Sequence, residues 1–66
     1  MKIRSVYLKE RYKPPGETTP IPVIRARTSE GLPHYDIDFA AGFYTCRKGG
    51  YIFRVPVSNV IVDEPE

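Results

Sequence analysis

The chain has 66 residues, 41% of them hydrophobic, with one Cys, no Trp and a formal charge of +2. Chains of this size bury only about 60% of their unfolded surface and hold roughly 3–5 kcal/mol of net stability, so one modest core is the limit. That excludes a nucleotide-binding α/β domain built from units of about 30 residues, a disulfide within the monomer, and an apolar run of about 20 residues to span a bilayer. No signal-peptide pattern opens the chain, and the expectation is a single cytoplasmic domain with no membrane role.

The reading is β almost throughout. Pro and Gly interrupt the sequence at short intervals, and no stretch of ten residues free of both keeps an i, i+3, i+4, i+7 apolar pattern. The first predicted strand is Lys2–Glu10. Ile3, Ser5 and Tyr7 share one face, Val6 and Leu8 the other. A strand with apolar groups on both faces is either covered twice or carries a bulge that switches its register. Residues 11–20, RYKPPGETTP, form a long loop.

The second strand is expected over Ile21–Thr28, with Ile24, Ala26 and Thr28 on one face and Val23, Arg25 and Arg27 on the other. The third alternates most cleanly: Tyr35, Ile37 and Phe39 face inward, His34, Asp36 and Asp38 outward. Ala40-Ala41-Gly42 makes a tight connection to a fourth strand, Phe43–Lys48. Gly49-Gly50 is a two-residue hairpin signal. Tyr51–Val57 is the fifth strand, with Pro56 on its outward set. Ser58-Asn59 is a short turn of 3₁₀ character, and Val60-Ile61-Val62 closes the fold. The predicted core is Ile24, Tyr35, Ile37, Phe39, Phe43, Phe53, Val55 and Val57. Residues 1–62 form one domain, and 63–66 a short acidic tail.

This layout is that of an all-β fold, a small SH3-like barrel of five to six short antiparallel strands. Gly49-Gly50-Tyr51-Ile52 followed by Val55-Pro56-Val57-Ser58-Asn59-Val60 resembles the closing series of SH3 domains, with a residue inserted after the Pro and the usual Tyr missing. The ending is also similar to those of short bacteriophage proteins. Peptide-binding SH3 domains use a Trp and an acidic long loop. This chain has no Trp, and its long loop carries Arg11 and Lys13 against Glu17, which argues against a Pro-rich ligand.

Charge is asymmetric. Residues 1–30 hold seven basic residues and three acids, residues 31–66 three basic residues and five acids. Arg25 and Arg27 share a strand face, Arg47-Lys48 flank the Gly-Gly turn, and Tyr44 and Tyr51 lie nearby. Small barrels bind single strands by stacking bases on aromatics in a cationic groove. The sequence therefore points to a nucleic-acid-binding module, with Arg25, Arg27, Arg47 and Lys48 on phosphate and Tyr44 or Tyr51 stacking. The alternative is a protein-interaction module: a viral or host-directed factor, or a homo-oligomer that uses edge strands or the Pro-rich loop. No catalytic set is predicted. Cys46 alternates with apolar groups as a small core residue does. His34, Asp36 and Asp38 share a face without the ligand number of a structural zinc site. Cofactor and metal are expected to be none.

Overall fold

A computed structural model describes residues 2–26 and 35–66. Six antiparallel strands form one sheet: β1 (Lys2–Tyr12), β2 (Ile21–Arg25), β3 (Asp36–Ala40), β4 (Phe43–Lys48), β5 (Tyr51–Pro56) and β6 (Val60–Pro65), with a single 3₁₀ turn, Val57–Asn59, before the last. The ladder runs β2-β1-β3-β4-β5, and β6 pairs with the other side of β1. No ladder joins β5 to β2 or β6 among the described residues, so the sheet curls without closing. The gap is filled by side chains. Tyr12 at the end of β1 stacks on Phe53 of β5 with ring centroids 5.1 Å apart, and Tyr35 meets the same ring edge-on at 5.5 Å.

β1 carries the expected bulge. Ile3 opposes Pro65 and Ser5 opposes Glu64, so two steps along β1 match one along β6. The extra residue at Arg4 switches the inward face. Ile3 is buried before the bulge, and Val6 and Leu8 are buried after it, joined by Ile24, Ile37, Cys46, Phe53 and Val55. β6 has its own bulge, with Val62 opposite Tyr7 and Val60 opposite Leu8, so Ile61 is the surplus residue and stands exposed.

The strand limits differ from the sequence reading at several ends. β2 stops at Arg25, with Ala26 in a bend and Arg27 and Thr28 outside the described residues, and β5 stops at Pro56, with Val57 opening the 3₁₀ turn. β1 runs two residues further, to Tyr12, because that ring packs on Phe53. β6 runs to Pro65, because Asp63 and Glu64 pair with Val6 and Ser5 of β1. The acidic stretch is thus ladder and not a free tail. Two predicted core residues lie outside the core: Phe43 is 44% exposed and Val57 50%. β4 holds aromatics on both parities, and the structure buries Tyr44 and Cys46 instead.

The long loop is pinned to the sheet. Pro14 is fully buried, the Lys48 ammonium pairs with Glu17 at 3.3 Å, and the Tyr51 ring lies over Gly16. A Cβ at Gly16 would meet Tyr51 Cε2 at 2.9 Å, and the backbone there has φ +86°, so both the contact and the conformation select glycine. The 3₁₀ turn is fastened in the same manner. Asn59 accepts from the Glu10 N–H at 3.1 Å and donates to the Glu10 carbonyl at 3.3 Å, so its amide completes the edge of β1 where β6 has ended. The three edge strands β2, β5 and β6 contain Pro22, Pro56 and Pro65 respectively.

The Ala41-Gly42 connection is a two-residue hairpin turn in which both residues have positive φ, 55° and 82°. An L-residue with a Cβ costs roughly 1–2 kcal/mol there, and Asn tolerates the conformation best among side-chain-bearing residues. Ala41→Asn should stabilise the fold by about 0.5–1 kcal/mol. Urea denaturation compares the midpoints, and a variant no more stable than the parent would contradict the turn assignment.

Candidate nucleic-acid interface

Five of the six side chains singled out in the sequence are described, and they do not share one face. Tyr44 is 4% exposed, points into the core against Phe39 (centroids 4.7 Å apart) and donates its hydroxyl to Asp63. It offers no face to a base. Its parity on β4 follows from that hydroxyl, which reaches the one acid on the inward side of β6. Lys48 is bonded to Glu17 and lies 5.5 Å from the centre of the Tyr35 ring. Tyr51 is 53% exposed, with part of its ring against the loop at Gly16. Arg47 projects outward on β4 beside Asp36 in the register. Arg27 lies outside the described residues. Arg25 remains exposed on β2.

Arg25 belongs to a constellation that the sequence only half revealed. The bulge at Arg4 turns Tyr7 of β1 outward, and Lys9 and Arg11 follow at the same parity, both exposed, where the β1–β2 register is irregular between Tyr7 and Tyr12. Tyr7 opposes Val23 of β2 and Val62 of β6, which makes it the centre of the outer wall β2–β1–β6. The Arg25 guanidinium sits 6.0 Å from the centre of the Tyr7 ring. Arg4 is exposed at the bulge itself. Of the described cations, only Lys2 and Lys48 form ion pairs, so Arg4, Lys9 and Arg11 have no acidic partner and Arg25 is engaged by the Tyr7 ring alone. Glu10 and Glu64 are the acids nearest to them in the register. A cleft of about 410 Å³ continues from Lys9 and Arg11 between β1 and the 3₁₀ turn, lined also by Glu10, Tyr12, Pro56, Ser58 and Asn59.

The clue was available in the chain. After Val6 the odd positions read Tyr, Lys, Arg, and that parity becomes a surface once Val6 and Leu8 are placed in the core. What the sequence could not supply was the position of the bulge, which decides where the parity starts.

The remaining candidate chemistry is silent. Cys46 is fully buried, and burial pushes its thiol up to about 12. A thiol held neutral in this way is neither nucleophile nor ligand at neutral pH. Among the described residues no three of His, Cys, Asp and Glu come together as a metal site, and His34 lies outside them. No helix among the described residues is long and apolar enough to cross a membrane. No protein-family model, curated protein or solved structure matches the chain.

Two measurements test this core. Cys46 should resist a thiol reagent in the native protein at pH 8 and react at once in denaturant; rapid native labelling would contradict its burial. Tyr44 is held neutral first by desolvation and then by its bond to Asp63, which raise its pKa from 10 to about 12. Its stabilising contribution is therefore complete below pH 10 and lost as the pH rises from 10 through 12. Tyr44→Phe leaves the Asp63 acceptor unfilled and should cost about 1–3 kcal/mol at pH 8. The gap between parent and variant should narrow above pH 10, and a gap that stays constant to pH 11.5 would refute the assignment.

Proposed function

We propose that the protein is a small nucleic-acid-binding module whose interface is the outer wall β2–β1–β6. The observation that supports this best is the grouping of four cations without an ion pair, Arg4, Lys9, Arg11 and Arg25, around one half-buried aromatic, Tyr7. Lys9 and Arg11 follow one another along a strand, so their charges track an extended backbone, and the Tyr7 ring lies in line with them for a base to stack on. The wall is open and shallow, which suits a flexible single strand more than a groove reader. Phosphate contact of this kind is insensitive to sequence.

The test is a titration of a fluorescently labelled single-stranded DNA and its RNA counterpart at several salt concentrations. Affinity should fall with salt, and Lys9→Ala with Arg11→Ala should reduce the slope of log K against log salt by about 1.4, two phosphate contacts at roughly 0.7 each. Tyr7→Ala should weaken binding by about 1–3 kcal/mol with the slope retained. Arg47→Ala, on another wall, should change neither. Absence of binding at low salt, or binding indifferent to salt, would sink the proposal.

A further inference from the structure

The outer wall of β3–β4–β5 has a different character, and nothing above uses it. Its outward residues form a grid fixed by the register. Asp36, Arg47 and Ile52 make one row, Asp38, Thr45 and Arg54 the next, and Ala40, Phe43 and Pro56 the third. Acids occupy the β3 side, with Lys2 of β1 bonded to Asp36 and opposite Asp38 in the register; the Arg54 guanidinium occupies the β5 side, and Phe43, 44% exposed, the central strand. No core demand explains an exposed Phe flanked by Ala40 and Pro56, since Tyr44 fills the inward position beside it. Single exposed apolar residues are ordinary, but here Phe43, Ile52, Pro56 and Val57 lie exposed on or beside the same wall.

Two of the three rows are self-complementary. A two-fold axis lying along β4, between two copies packed face to face, exchanges the β3 side of one with the β5 side of the other. Phe43 then faces Phe43 of the second copy, Thr45 faces Thr45, Ala40 faces Pro56, and Asp38 faces Arg54 twice. The remaining row sets Arg47 on Arg47 at its centre and Asp36, neutralised by Lys2 of its own copy, on Ile52 at its ends, so it adds no attraction. Isologous interfaces require this property of a surface, that each patch be its own complement. The alternative route to self-association, strand addition at an edge, meets a Pro on β2, β5 and β6 and a bulge on β6. We infer that the protein forms a two-fold dimer through the outer wall of β3–β4–β5, with Phe43 on the axis and reciprocal Asp38–Arg54 pairs across it. Three short strands give a patch at the small end of specific interfaces, so the dimer is weak and concentration-dependent.

Sedimentation equilibrium over a concentration series decides the matter, with a charge-exchange design as the sharp test. Asp38→Lys alone sets Lys against Arg54 at both ends of the interface, and Arg54→Glu alone sets Glu against Asp38 at both ends. Each variant alone should dimerise at least about tenfold more weakly than the parent. Mixed in equal amounts, they should associate with each other, because the mixed pair restores opposite charges at both contacts. Phe43→Ser, which alters no charge, should also weaken the parent dimer at least about tenfold. A parent that stays monomeric throughout the series, or two charge variants that fail to associate when mixed, would overturn the inference. Folding of each variant is checked by circular dichroism.

Discussion

Everything in this fold depends on β1 serving three partners. This strand pairs with β3 at one end, with β2 at Ser5, Val6 and Tyr7 and again at Tyr12 on that edge, and with β6 on the opposite edge. A regular strand could not place apolar side chains correctly for all three, because Ile3 and Val6 have opposite parity. The bulge at Arg4 resolves the conflict, at the cost of one residue's regular pairing. Its consequence reaches past the core. By sending Val6 and Leu8 inward it sends Tyr7, Lys9 and Arg11 outward, so the same irregularity builds the interior and the cationic wall.

The two outer walls divide the chemistry. The wall of β2, β1 and β6 is cationic around one aromatic, with Arg25 against the Tyr7 ring and none of its described basic side chains in an ion pair. The wall of β3, β4 and β5 is mixed in sign and carries more apolar surface. Between them the core is tied across the open side of the sheet by two devices: the Tyr12–Phe53–Tyr35 ring cluster, and the Tyr44 hydroxyl on Asp63. The second joins β4 to β6, which share no ladder. Breaking it leaves a carboxylate in partial burial without its donor, so it fixes how the β6 end sits against the meander.

Much of this was legible in the chain. The clean alternation of Tyr35 and Ile37, the Gly49-Gly50 hairpin, the 3₁₀ turn near Ser58-Asn59 and the need for a bulge in the first strand follow from parity and turn chemistry. The failures have a common cause. β4 reads Phe-Tyr-Thr-Cys, with one aromatic on each face, and hydrophobicity alone favours burying Phe43. The deciding partner, Asp63, is 19 residues away and lay in what looked like a solvated tail. The long loop was similarly ambiguous. Its Pro and Gly residues say only that it is irregular, whereas its order comes from Pro14 burial and the Lys48–Glu17 and Tyr51–Gly16 contacts across the fold. Tyr44, Lys48 and Tyr51 are each engaged by a long-range contact that composition does not reveal: Tyr44, in the core, with Asp63, Lys48 with Glu17, and Tyr51 with the loop at Gly16.

The three prolines on β2, β5 and β6 carry a consequence for how such a chain survives at high concentration. An open six-stranded sheet exposes rows of backbone donors and acceptors that could template the growth of a cross-β fibril, one chain adding to the next. A proline in each exposed row removes a donor from the repeating pattern, and the surplus residue in β6 bends that row out of plane. The sheet can therefore remain open without becoming a seed.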